Sequence, residues 1–224
     1  MSRFGSRSRP RGRARMETAG VALALALAGG GLSAQEGGAD GDAWWAGLAG
    51  AGPGLHLIEV DSIYEIRGRD HDELLREMRR RGPGIDDIGT RFGVHVAQWR
   101  WSYTFRTGGG HDRCHVADAS VLLRSVIVLP KWVDRAGAPR EVGRDWPRFV
   151  EALTVHESGH RNRAKEQGVR LWQSLLGLQG DTCEALETVV SEIAMRVVGE
   201  GEAAQLEYDR ETDHGLRQGA AWPP

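Results

Sequence analysis

Cysteine is almost missing from this chain: Cys114 and Cys183 are the only two in 224 residues. Set so far apart, they cannot form a C-x-x-C zinc ligand pair. In an exported protein an even pair predicts one disulfide, and closing so long a loop is worth on the order of 4 kcal/mol. Long apolar runs are missing too. The run Ala19–Ala28 is too short to span a bilayer. The leader has no adjacent arginines, which argues against a twin-arginine signal. It also has no cysteine beside the expected cleavage point, which excludes a lipid anchor there. Internal repeats are absent, and so is low-complexity sequence beyond the amino-terminal leader.

Excess positive charge is also lacking once the leader is set aside. Residues 1–34 hold six arginines and a single acid, Glu17, so the rest carries 23 basic and 30 acidic residues, a net charge of −7. That balance excludes nucleic acid as a partner. No basic amphipathic face for a membrane surface is present either. The spaced arginines, the short apolar run and the Leu32-Ser33-Ala34 site follow the plan of a secretory signal peptide. The expected organisation is therefore a signal peptide over 1–34, a flexible Gly/Ala-rich leader over 35–54 containing Trp44 and Trp45, one domain over 55–216, and a loose tail over 217–224. The expected location is secreted or periplasmic, with no stable membrane insertion after cleavage, and the expected state is a monomer.

What is present is a strand-rich first half and a helical second half. Leu55 to Gly68 reads as strand with a turn at Asp61-Ser62. Asp70 can cap a helix over His71–Arg81. From Val94 to Phe105, Trp99, Trp101, Tyr103 and Phe105 alternate with Arg100, Ser102, Thr104 and Arg106, a strand with one apolar face. Cys114 to Leu129 continues as strand. Asp145 and Pro147 then suggest the start of a helix from about Trp146 to Leu178. Asp181 with Glu184 suggests a capping box for a last helix, which Gly199 and Gly201 are expected to interrupt. Strands followed by helices indicate an α+β fold: a small antiparallel sheet packed with two long C-terminal helices, one of them a zincin-like metal helix.

The chemistry sits in Thr154–Ala164, TVHESGHRNRA. His156, Glu157 and His160 form H-E-x-x-H. On a helix the two histidines share a face and can share one ion, with Glu157 beside it as a general base. Both histidines also fall on the apolar stripe of Phe149, Leu153, Ala164, Leu171 and Leu175, where buried imidazoles need polar partners. A catalytic zinc needs a third protein ligand. The extended pattern is broken, because Arg163 and Glu166 stand where glycine and histidine would be. Glu187 or Glu192 on the last helix would complete a His₂Glu site. His214, in YDRETDHG, would complete His₃ and is the preferred choice. Asp209 and Asp213 could then orient the ligands, and Tyr208 could donate a hydrogen bond to an oxyanion.

Together these stretches resemble the DUF922 family of bacterial proteins, described as secreted zinc-dependent proteases. The likeness covers roughly Tyr64 to Gly215. It rests on Y-x-I-x-G (Tyr64–Gly68), Gly82-Pro83, W-x-W-x-Y (Trp99, Trp101, Tyr103), Cys114, I-x-L-P-x-W (Ile127–Trp132), H-E-S-G-H, Cys183 and YDRETDHG. The resemblance implies zinc on His156 and His160, with Glu157 as acid/base, and a role for the His214 motif. The expectation is a secreted zinc-dependent peptidase acting on a peptide or protein, with Glu157 and Tyr208 catalytic and His156, His160 and His214 holding Zn²⁺. A metal-dependent amidase acting on cell-wall peptide would use the same residues. The alternative outside enzymes is a cell-envelope binding protein with a structural or vestigial zinc site.

Overall fold

The computed structural model describes residues 52–86, 89–107 and 113–224. The expected signal peptide, most of the leader, and Trp44 and Trp45 lie outside them. The fold is α+β, as expected. Strand β1 (Gly54–Ile66) leads to helix α1 (His71–Arg81), then to the short hairpin β2 (Gly84–Asp86) and β3 (Gly89–Arg91). Strands β4 (Val94–Thr107) and β5 (Cys114–Trp132) follow, then helix α2 (Arg140–Leu175), β6 (Gln179–Gly180) and helix α3 (Cys183–Thr212). A single 3₁₀ turn covers Leu216–Gln218.

The main sheet runs β1-β5-β4, with β6 pairing the start of β5. β4 and β6 are antiparallel to β5, whereas β1 is parallel to it, so the sheet is mixed where an antiparallel one is expected. β1 also has no turn at Asp61-Ser62. Its pairing with β5 runs unbroken from Gly54↔Ser120 to Ile66↔Trp132, and a complete ladder outweighs local turn preference. The alternation in β4 holds: Trp99 and Trp101 are buried against the helices.

Two of the helix starts differ from the sequence expectation for physical reasons. α1 is capped by Asp70, whose side chain accepts from the Glu73 amide, as the sequence suggests. α2 begins at Arg140, so Asp145 and Pro147 are interior. Pro147 has no amide for the carbonyl four residues back. That carbonyl, on Gly143, accepts instead from the Arg135 guanidinium, which lets the helix run through. In α3 the cap is Thr182, accepting from the Ala185 amide, rather than Asp181. Gly199 and Gly201 do not break the helix.

The described chain has two apolar cores, and α2 threads both. Its first half (Val142, Trp146, Phe149, Leu153) packs with Ile66, Leu74, Met78, Trp132 and Trp222. Its second half (Ala164, Leu171, Leu175) packs with Trp99, Val121, Leu123 and the α3 residues Leu186, Val190 and Ala194. The Cys114–Cys183 disulfide ties the start of β5 to the start of α3 across 69 residues. The segment after 216 is packed rather than loose: Trp222 is buried among Trp146, Phe149 and His71, and its indole donates to the His71 carbonyl at 3.0 Å. Trp222→Ala is therefore expected to destabilise the protein by about 3 kcal/mol or more, read from the midpoint of urea unfolding.

Candidate metal centre

α2 carries His156, Glu157 and His160 through the gap between the two cores. All three are buried, as the apolar stripe predicts. Contacts fix α2 and α3 antiparallel: His160 meets Gln205 and Asp209, and seven residues later Gln167 donates to the Val197 carbonyl. Arg161, next to His160, secures α2 to the sheet through Val60 O, Asp61 Oδ1 and Ser125 Oγ at 3.0, 2.6 and 3.1 Å.

Three ligand-type atoms converge here. His160 Nε2 lies 3.0 Å from Asp209 Oδ1 and 3.3 Å from His156 Nε2, and His156 Nε2 lies 3.3 Å from Asp209 Oδ1. Ligand atoms around a tetrahedral zinc with bonds of 2.0–2.1 Å stand about 3.3 Å apart, so the triangle has the size of one face of that site. Its chemistry agrees. Gln205 donates its amide N–H to His160 O at 3.0 Å, which turns its Oε1 towards His160 Nδ1 at 2.6 Å. Gln218 donates to Tyr208 Oη at 3.1 Å, which turns its Oε1 towards His156 Nδ1 at 3.0 Å. The Gln205 carbonyl oxygen thereby accepts from His160 Nδ1–H; with the same tautomer at His156, both Nε2 lone pairs face the Asp209 carboxylate. A cation between them would satisfy all three atoms. His156, His160 and Asp209 can hold a metal ion.

The expected third ligand, His214, lies beside this group rather than within it. Its Nδ1 is 3.7 Å from Asp209 Oδ1 and its side chain is 28% exposed. The other candidates, Glu187 and Glu192, are exposed on α3. Asp209, expected only to orient ligands, is the carboxylate that stands with the two histidines in this group. The signal for it was in the sequence. The buried stripe Leu186, Val190, Ala194, Val197, Gly201 continues in steps of three and four to Gln205, Asp209 and Thr212, placing a carboxylate on a core-facing line.

A cavity of about 390 Å³ opens over the group. His156, Glu157, His160, Asp209 and His214 line it, together with Val94, His95 and Ala97 of β4. Apolar residues close it on both sides of the histidines, Leu153 and Trp222 on one and Trp99 and Ala164 on the other. Burial holds His95 neutral, with its pKa lowered to about 3, and the neighbouring His160 and Arg161 push it the same way. Its Nε2 is 2.9 Å from Ser125 Oγ. Tyr208 does not line the cavity. Its ring stacks on His156, the Arg163 guanidinium sits 3.7 Å from its centroid, and its hydroxyl lies over Gly159. A Cβ at residue 159 would stand 2.0 Å from that oxygen, which explains the glycine inside H-E-S-G-H.

A family model described as "Bacterial protein of unknown function (DUF922)" matches residues 62–215. The match takes in more than half of the chain, which belongs to that family. No curated protein and no solved structure matches the chain.

Gly159→Ala gains helix propensity of about 1 kcal/mol. It is nonetheless expected to lower the melting temperature, because Tyr208 must leave its place against His156 and overpacking of this kind costs about 1–3 kcal/mol. Scanning calorimetry of the two proteins checks it.

Proposed function

We propose that this DUF922 protein is a zinc-dependent hydrolase, a peptidase with a zincin-like metal helix, exported to the periplasm or the medium. The reading is carried by one observation: His156 Nε2, His160 Nε2 and Asp209 Oδ1 meet in a cavity that Glu157 also lines. Two imidazoles and a carboxylate suit zinc, and three protein donors leave a coordination position free, as catalytic sites require. When bound, zinc supplies a Lewis acid that polarises a carbonyl and eases the ionisation of water.

Glu157 takes the proton from the attacking water and delivers it to the leaving amine. His214, at the edge of the group and partly exposed, donates a hydrogen bond to the developing oxyanion, in place of Tyr208, whose hydroxyl lies over Gly159 and away from the cavity lining. A peptide substrate is favoured by β4. Among the described residues this strand is paired only on its β5 side, and Val94, His95 and Ala97 run along the cavity. An extended chain can lie there and add to the sheet by main-chain hydrogen bonds. The disulfide suits an oxidising compartment. No helix among the described residues is long and apolar enough to cross a membrane.

Elemental analysis of purified protein tests the metal. About one zinc per chain is expected for wild type, Glu157→Gln and His214→Ala. Asp209→Ala and His160→Ala are expected to lose most of it. Loss of zinc from His214→Ala with retention in Asp209→Ala would return the third position to histidine. On an unfolded protein substrate, Glu157→Gln is expected to lower the hydrolysis rate at least about 10²-fold with metal retained. Wild-type turnover in that variant would remove Glu157 from the mechanism.

A further inference from the structure

We infer that the segment beyond residue 215 is part of the metal centre, and that Gln218 is the positioning residue for His156. The inference rests on the metal reading above. The family match ends at Gly215, and this segment reads from sequence as a tail. Three features build it into the site.

First, the turn is held at both ends. Gly215 and Gly219 adopt φ of +86° and +92°, a region that favours glycine, and the amides of Gln218 and Ala220 return to Gly215 O at 2.9 and 3.0 Å. A Cβ at residue 215 would stand 3.0 Å from His156 Cγ, so the chain passes directly over the imidazole. Trp222 anchors the far end in the core.

Second, the Gln218 amide bridges Tyr208 and His156. Its Nε2 donates to Tyr208 Oη at 3.1 Å, and its Oε1 faces His156 Nδ1 at 3.0 Å. Third, the competing acceptor is weaker. Thr212 Oγ1 is 3.4 Å from the same Nδ1, while its own hydroxyl donates to Tyr208 O at 2.7 Å and its oxygen accepts from the Gly215 amide at 3.3 Å. Gln218 therefore keeps the His156 proton on Nδ1 and the Nε2 lone pair towards Asp209. An acceptor on the far nitrogen of a ligating histidine fixes its tautomer and raises its basicity.

Zinc affinity, measured by competition with a chromophoric chelator, tests this in wild type, Gln218→Met and Gln218→Glu, with the absorption spectrum of the cobalt-substituted proteins as a second readout. Methionine keeps the length and removes the acceptor. Its affinity is expected to fall about 10–100-fold, with a changed cobalt spectrum. Glutamate supplies a stronger acceptor and is expected to bind zinc more tightly than wild type. Wild-type affinity in Gln218→Met overturns the inference, as does a Gln218→Glu affinity no better than that of Gln218→Met. If Gln218→Met does not fold, Gln218→Glu decides: tighter binding supports the role, and equal or weaker binding overturns it. A wild-type protein that takes up no zinc overturns the metal reading itself, and this inference with it.

Discussion

Three hydrogen-bond acceptors held about 3 Å apart in a buried space are the constraint around which the fold is arranged. Removing a carboxylate and two imidazoles from water costs several kcal/mol unless each finds a partner of opposite character. The surrounding structure supplies partners for the outward-facing atoms. Gln205 takes one Nδ1, and Gln218 and Thr212 take the other. The inward-facing atoms, His156 Nε2, His160 Nε2 and Asp209 Oδ1, meet one another at distances that a single cation could bridge. A cation bound only by the folded state would stabilise that state by mass action, so metal content and folding would be linked.

Holding such a group requires a rigid frame, and α2 provides it by belonging to both cores. A helix packed at one end only could pivot, and the histidines near its middle would move with it. Packing Phe149 and Leu153 into one core and Ala164 and Leu171 into the other removes that freedom. Arg161 adds a lateral tie to β1 and β5 one residue from His160. The α3 side is fixed in the same way, through the disulfide at its start and through Asp209 and Gln205 near its end.

Much of this was legible in the chain, and the rest fails for identifiable reasons. Period-two alternation in β4 and the Asp70 cap are local signals, and they survive in the structure because nothing distant opposes them. H-E-x-x-H placed two imidazoles on the buried side of a helix. The start of α2 is not legible locally because the compensation for Pro147 comes from Arg135, a residue before the helix. The turn expected at Asp61-Ser62 is absent because the β5 ladder that overrides it lies far along the sequence. Which group stands third beside the two histidines depends on which face of α3 meets α2. His214 drew notice as a histidine, yet the helix ends before it, with Asp213 and His214 at φ of 52° and 51°, which sets its ring at the cavity rim. The core-facing stripe of α3 leads to Asp209.

The electrostatics also favour a carboxylate in that position. With His214 as third donor, a divalent ion would sit among three neutral imidazoles, and the buried Asp209 would remain beside them as a separate negative charge. With Asp209 as donor, the carboxylate offsets half of the ion's charge within the coordination shell. Glu157 and neutral His95 then face the same cavity. A smaller uncompensated charge costs less to bury. In the hydrolase proposed above, His214 would stand outside the coordination shell and keep an N–H for the point where negative charge develops in acyl transfer. On that proposal, the arrangement that lowers the cost of holding an ion also leaves a donor for the chemistry.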